Sequence, residues 1–402
     1  MIILVLNSGS SSVKYQLFDM NGERVLASGN VERIGMEDAI VTYRPEGKDK
    51  IVEVMEILEH YSAVEIILEK LVDKAHGVLS DIRDVQAVGH RIVHGGEFFS
   101  QSVIVTEDVK QKLRDLISLA PLHSVPNVKG IEAAEHALPE VPHVVVFDTA
   151  FHQTMPPHAY MYPVPRILYK KHKVRRYGFH GTSHHYVSNL AAQTLGQPYE
   201  QLKIITCHIG NGASVTAVEN GKSVDTSMGL TPLEGLMMGT RCGDIDPAAV
   251  TFIMAQEDLT LGDVNSMMNK HSGLLGISGV SSDMRDIEKA MSEGDANAKL
   301  AHDMYVYRVQ KYIGAFTAAM NGVDAIVFTA GVGENSSLLR QRVCEKLTYL
   351  GLSLDEAKNE VRSDEPRTIS SDDSRVQVLV VPTNEELMIA RETKTTVATT
   401  NA

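Results

Sequence analysis

Two arginines in glycine-flanked loops are the first residues of this 402-residue chain that could do chemistry. His90-Arg91-Ile92-Val93-His94-Gly95-Gly96 carries one, and Gly239-Thr240-Arg241-Cys242-Gly243-Asp244 carries the other. A guanidinium grips a planar carboxylate or a phosphate through two parallel hydrogen bonds. Taken singly, each arginine reads better as a surface ion pair than as a site. Three carboxylates could work beside them. Asp148 closes the apolar run Val141 to Phe147, and a strand-end carboxylate in an α/β fold points into a crevice. Glu385 and Glu386 open a helical stretch, where acids also serve as simple partners of the helix dipole. Mg2+ bound together with phosphates takes only one or two protein carboxylates. Gly178-Phe179-His180-Gly181-Thr182-Ser183-His184-His185 gathers three histidines. No carboxylate or cysteine accompanies them at ligand spacing, which argues against zinc.

Phosphates need converging backbone N–H groups and small hydroxyls. Asn7-Ser8-Gly9-Ser10-Ser11-Ser12 supplies both, with Lys14 following. It is not a P-loop, because no lysine-terminated glycine motif is present and no helix follows. His208-Ile209-Gly210-Asn211-Gly212 is a second cradle, whose glycines let backbone approach a ligand; a tight or bulged turn is its plain alternative. Thr329-Ala330-Gly331-Val332-Gly333-Glu334-Asn335 follows an apolar strand and precedes a helix expected from Ser336. Ser336 stands where a dinucleotide fingerprint needs its third glycine, so a nicotinamide site is weakly supported. A strand–glycine–helix junction can still hold a nucleotide.

These residues need a frame. Ile2 to Leu6 and Val13 to Phe18 read as a hairpin, with Val13, Tyr15 and Leu17 on one face. Leu202 to Cys207 and Ala213 to Glu219 read as another, followed by the tight-turn pair Asn220-Gly221. Two such units about 200 residues apart suggest a duplicated architecture. Thr106 should cap a helix running to about Leu119, and Asn297 to Met320 should form a long one closed by Asn321-Gly322. Ala325 to Thr329 and Val376 to Val381 read as buried strands, and a last helix should run from Asn384 to Thr393 with a frayed tail from Thr395. Pro156 to Pro165 holds four prolines and reads as a crossover. The class is α/β.

Lys and Arg total 38 against 51 Asp and Glu, a formal charge of −13. Such a balance opposes nucleic-acid binding, and any anion must be held by a local cationic pocket. The basic run Arg166 to Arg176 reads as a solvated face or a subunit contact. Cys207, Cys242 and Cys344 are too few and scattered for a disulfide framework. No apolar run approaches the ~18 residues that span a bilayer, and Met1 leads into a strand rather than a signal peptide. A cytoplasmic protein without membrane or nucleic-acid partners is expected.

No one motif decides. Their order and wording do. The blocks Asn7 to Lys14, His90 to Gly96, Phe147-Asp148-Thr149-Ala150-Phe151-His152, Gly178 to His184, His208 to Gly212, Gly239 to Asp244, Gly331 to Asn335 and Asn384-Glu385-Glu386 together resemble the acetokinase family from the first strand to the last helix. The resemblance implies a two-domain actin-like ATPase fold, with ribonuclease H-like duplicated domains of the acetate and sugar kinase type. It places an N-terminal domain at 1–149 plus 384–402 and a nucleotide-binding, dimerising C-terminal domain at 150–383. It implies a homodimer, and domain closure that keeps water from the γ-phosphate.

The reaction implied is ATP + acetate ⇌ ADP + acetyl phosphate with Mg2+, for which Mn2+ can substitute. Phosphoryl transfer asks for in-line positioning and charge neutralisation, with little covalent help. By similarity, the catalytic residues are Arg91, Asp148, His180 and Arg241. Arg91 holds the carboxylate, and Arg241 and His180 stabilise the γ-phosphoryl. Asn7 and Glu385 organise the metal. Ser10, Ser12, Lys14 and the turn His208, Ile209, Gly210, Asn211, Gly212 hold phosphates. Asp283, Met284 and Arg285 with Gly331, Val332, Gly333, Glu334 and Asn335 line the adenosine end. Acetate is already ionised at neutral pH, so Asp148 is expected to orient metal-bound water and the arginine rather than take a proton. Val93, Leu122, Phe179 and Pro232 are assigned to the methyl pocket. Valine at 93 leaves less room than alanine would, favouring acetate over propionate, although one methylene discriminates by only ~1–3 kcal/mol. The alternatives are a propionate or butyrate kinase, or a non-catalytic actin-like nucleotide-binding protein.

Overall fold

The computed structural model describes residues 1–118 and 121–400, with backbone alone for 118 and 121–123. The chain divides into two compact units: Met1–Phe151 with Asn384–Ala402, and His152–Thr383.

The first unit is built on eight strands: β1 (Ile2–Ser8), β2 (Ser12–Asp19), β3 (Arg24–Glu32), β4 (Met36–Pro45), β5 (Ile51–Ile57), β6 (Ala87–Ile92), β7 (Val103–Ile104) and β8 (His143–Phe147). Their order is β5-β4-β3-β2-β1-β6-β8-β7. β1 and β2 form the expected hairpin, antiparallel with Asn7 opposite Lys14. Val13, Tyr15 and Leu17 are buried and Lys14 is exposed, as the alternation requires. β6 runs parallel to β1, and β8 parallel to β6. The carboxyl ends of β1, β6 and β8 therefore deliver Asn7, Arg91 and Asp148 to the same edge of the sheet.

The second unit holds β9 (Lys203–Ile209), β10 (Ala213–Glu219), β11 (Lys222–Thr226), β12 (Ala325–Thr329), β13 (Arg367–Thr368) and β14 (Gln377–Val380). Their order is β11-β10-β9-β12-β14-β13. The run β11-β10-β9-β12-β14 repeats β3-β2-β1-β6-β8: antiparallel twice, then parallel twice. This is the duplicated core that the two hairpins suggested. Asn220 and Gly221 both take positive φ, which makes the tight turn into β11.

The helix Ala296–Ala319 starts at the Asp295 cap and ends at Asn321 and Gly322, both at positive φ. Thr106 caps the helix Glu107–Asp115, which passes into a 3-10 turn, Leu116–Ser118; Leu119 lies outside the described residues. The last helix, Glu385–Thr400, belongs to the first unit. It lies so close on β6 that a Cβ at Gly89 would sit 2.4 Å from Thr393 Oγ1. Arg391 pairs with Glu23 at 2.6 Å, and Ser102 donates to Glu392 at 3.0 Å.

Several expectations need correction. His208 and Ile209 are the last residues of β9, not part of the turn, because both still pair with β10. Ala330–Asn335 is already helical, so the glycines lie inside a helical turn rather than before it. The final helix does not fray at Thr395; threonine hydroxyls bond the carbonyls four residues back, as from Thr395 to Arg391 at 3.0 Å. Pro156–Pro165 is no bare crossover, since it contains the short helix Pro157–Tyr160. In the basic run, Arg175 and Arg176 are not solvated. Arg175 stacks 3.6 Å over the Tyr160 ring, and Arg176 donates to the carbonyls of Thr226, Ser227 and Met228. Among the described residues no helix is long and apolar enough to cross a membrane.

Candidate active-site residues

In the first unit the chemistry gathers around Arg91. Its Nε and Nη2 donate to the two carboxylate oxygens of Asp148, at 3.0 and 2.7 Å. Asp148 is 1% exposed. Glu385 lies 3.5 Å from Nη2, in the first turn of the final helix. Asn384 caps that helix, accepting from Leu387 N at 2.9 Å, so Glu385 serves the helix start and faces the arginine as well. Burial alone would lower the Arg91 pKa, but Asp148 and Glu385 outweigh it and hold the guanidinium above its ordinary value. The Nε–Nη2 edge is thereby committed to Asp148. Nη1 has no protein partner among the described residues.

Asn127 braces this group. It is buried, its Nδ2 donates to Ser8 O at 2.8 Å, and its Oδ1 accepts from Val93 N at 3.2 Å. Thr149 Oγ1 accepts from Gly95 N at 3.0 Å, tying the loop after β6 to the one after β8. The Asn7 side chain has no hydrogen-bond partner among the described residues. Lys14 and Ser10 are exposed, and Ser12 is half-buried. Val93 is half-buried. Leu122 lies in the helix Pro121–Ala137, and its side chain is outside the described residues.

In the second unit His180 stands at the start of the helix Gly181–Leu195, in the left-handed region at φ 56°. A non-glycine residue there carries backbone strain of a kind that collects at functional sites. Its ring stacks on His208 with centroids 4.1 Å apart. A Cβ on Gly212 would lie 3.4 Å from Arg241 Nη1 and 3.7 Å from His180 Nε2, so the turn, the arginine and the histidine converge. Arg241 donates to Pro232 O at 3.1 Å and has no carboxylate partner among the described residues. Burial lowers its pKa. Phe179 is buried, and its carbonyl lies 3.0 Å from His152 Nε2.

A cavity of about 870 Å³ adjoins this group within the same unit. Gly210, Asn211, Asp283, Met284, Arg285, Gly331, Val332 and Asn335 line it, so eight of the expected nucleotide residues meet there. Asp283 caps the helix Met284–Ser292 and pairs with Arg285 at 2.6 Å. Gly331 has nothing within 4 Å of where a Cβ would stand. His208, Ile209, Gly212, Gly333 and Glu334 do not line the cavity. The Glu334 carboxylate instead accepts from Ala330 N and Thr383 N, at 2.8 and 3.1 Å. Glu288, Lys289, Tyr305 and Arg362 also line it. No local pattern marks them, and only the fold brings them to this wall. Among the described residues no three metal-ligating side chains cluster, and the three cysteines are free.

A sheet core repeated in two units, with glycine-containing hairpin turns at corresponding strand ends, is the architecture of the actin-like phosphotransferases. The chain belongs to the acetokinase family, whose profile matches residues 2–391. An acetate kinase of Heliobacterium modesticaldum is 59% identical over 393 residues, 98% of each chain. The crystal structure of Porphyromonas gingivalis acetate kinase superposes with a TM-score of 0.95 at 50% identity, covering 98% of this chain and 99% of that one. A propionate kinase structure from Francisella tularensis superposes at 0.91 with 43% identity and the same coverage.

Proposed function

We propose that the chain transfers the γ-phosphoryl group of ATP directly to acetate, giving acetyl phosphate and ADP. The observation that carries this reading is the contrast in cation chemistry. Arg241 is a half-buried guanidinium without a carboxylate partner among the described residues, set beside His180 at a glycine turn that adjoins a nucleotide-sized cavity. Such an arrangement suits the charge on a phosphoryl group in flight. Arg91 suits the acceptor. Asp148 claims one edge of its guanidinium, which leaves Nη1 and the rest of Nη2 for the carboxylate of acetate. Asp148 is thus a positioning residue for Arg91. Family membership and the names of the relatives support acetate over propionate, as does valine at 93.

Mg2+ fits the first unit. Asn7 offers an amide oxygen without a protein partner among the described residues, and Glu385 offers a carboxylate that is 17% exposed. Two protein oxygens suit an ion that takes its other ligands from phosphates and water. When bound, the ion would neutralise phosphate charge. Homodimerisation through the second unit is supported by the helix Pro247–Gln256, which is rich in apolar residues and buries none of them; Phe252 is 65% exposed.

Trapping acyl phosphate with hydroxylamine tests the reading. Purified protein, ATP and Mg2+ are incubated with acetate, propionate or butyrate, with Arg91→Ala as control. Acetate turnover well above propionate, lost in the control, is expected. A preference for propionate or butyrate would overturn the acceptor assignment. No acyl phosphate from any acid would leave a non-catalytic nucleotide-binding protein.

A further inference from the structure

His180 is the fourth member of a buried hydrogen-bond chain that no motif announced. Thr206 Oγ1 lies 2.7 Å from His184 Nδ1, His184 Nε2 lies 2.7 Å from Ser214 Oγ, and Ser214 Oγ lies 2.9 Å from His180 Nδ1. Thr206, His184 and Ser214 are completely buried. None of these three side chains makes another hydrogen bond among the described residues. β9 carries Thr206, β10 carries Ser214, and the first turn of the helix Gly181–Leu195 carries His184. Three elements of the second unit therefore hold the chain rigidly.

The protons in such a chain can point only one of two ways. A neutral imidazole has one N–H donor and one bare acceptor nitrogen, and a hydroxyl has one proton to give. Burial, with the rings of His152 and His208 nearby, holds His184 well below its ordinary pKa, so its ring is neutral. Suppose first that the chain runs outward. Thr206 donates to His184 Nδ1, His184 Nε2–H donates to Ser214, and Ser214 donates to His180 Nδ1. Every donor then has an acceptor, and the remaining proton of His180 sits on Nε2. Now reverse it. His180 Nδ1–H donates to Ser214, Ser214 to His184 Nε2, and His184 Nδ1–H to Thr206. The hydroxyl proton of Thr206 is then buried without an acceptor, which is disfavoured. Nor can both rings donate to Ser214, whether His180 is neutral or doubly protonated, because the Ser214 proton would then be buried without an acceptor.

We propose that Thr206, His184 and Ser214 are positioning residues that fix His180 as a neutral Nε2–H donor. The Cε1–Nε2 edge of the ring is the one nearest Gly212, both atoms 3.7 Å from where its Cβ would stand, with Arg241 Nη1 3.4 Å from the same point. The chain thus presents a hydrogen-bond donor to the phosphoryl group before substrate arrives, without rotating a ring during the reaction. The proposal deepens the phosphotransferase reading and rests on it for its catalytic meaning, while the tautomer itself is independent of any activity.

The test is nitrogen NMR of the full-length protein labelled with 15N-histidine, with His180→Gln and His184→Gln used to assign signals. Bare Nδ1 and protonated Nε2 are expected for both rings. Protonated Nδ1 on His180 would overturn the proposal. In Ser214→Ala, His180 should lose its single tautomer, and kcat for acetyl phosphate formation should fall about 10- to 100-fold with KM values within twofold. An unchanged tautomer or an unchanged kcat would overturn it too. Should Ser214→Ala fold poorly, Thr206→Val keeps the shape and removes only the terminal hydroxyl. The His184 Nδ1 signal should then move to that of a nitrogen receiving no hydrogen bond, and an unmoved signal would refute the assigned order. Failure of the wild type to make any acyl phosphate, with both tautomers as expected, would sink the phosphotransferase reading and leave the chain of protons intact.

Discussion

Arg91 lies on β6 of the first unit and Arg241 in a loop of the second, after β11, and their surroundings are opposite. Arg91 in the first unit is matched by Asp148 and faced by Glu385, which raise its pKa. Arg241 in the second unit has carbonyl and thioether contacts and no carboxylate partner among the described residues, and burial lowers its pKa. A compensated arginine is held in one orientation and suits a small monoanion that needs aligning. An uncompensated one stores unspent positive potential, which suits a group whose negative charge grows during reaction. Duplication supplied the frame twice, and the local acids made the two sites different.

The largest effect should come from Arg241→Ala. In a coupled assay its kcat is expected to fall about 10^3-fold or more, as for other arginines that neutralise a phosphoryl in transit. Its melting temperature should stay level or rise, since a half-buried cation with no carboxylate partner among the described residues has been removed. A kcat loss below tenfold would make the two arginines equivalent and break the comparison. Arg91→Ala should reduce kcat/KM for acetate about 10^2-fold, with KM for ATP little changed. It should also melt several degrees lower, because the buried Asp148 carboxylate loses both hydrogen bonds from Arg91. Matching signs of the melting shift in the two variants would contradict the contrast. Asp148→Asn keeps the shape and loosens the grip on Arg91, so kcat/KM for acetate should fall about tenfold. Near-normal activity and Mg2+ affinity would remove Asp148 from any positioning role. The smallest effect belongs to Val93→Ala, where the propionate-to-acetate ratio of kcat/KM should rise a fewfold. An unchanged ratio would take position 93 out of the specificity argument.

Much of the fold could be read from local pattern. The hairpins, the buried strand Ala325–Thr329 and the cap at Thr106 follow from alternation, apolar runs and hydroxyl placement, which are properties of adjacent residues. Departures arise where distant contacts overrule local preference. Threonines in the last helix are poor helix formers, yet Thr393 is fully buried against β6 and the helix continues to Thr400. Arg175 and Arg176 look like part of a solvated run, but an aromatic ring and three carbonyls 50 or more residues away claim them. Arg91, Asp148, His180 and Arg241 sit in recognisable blocks. Asn127, Ser214, Thr206 and Glu288 do not, because a brace or a cavity wall is defined by what the fold brings near, and their residue types are common everywhere.

The return of the final helix to the first unit has a consequence for how the protein is made. Synthesis runs from the N-terminal side, so β1 to β8 leave the ribosome before the second unit, yet the helix that covers Gly89 follows that unit. At about 5–20 residues per second, the second unit's 232 residues take tens of seconds or less to appear. Throughout that interval one face of the first sheet lacks its cover while the inserted unit can already fold. A nascent chain stalled before Asn384 should therefore show a protease-resistant second unit and a sensitive first one, and a chaperone that shields apolar sheet surface would find its client there.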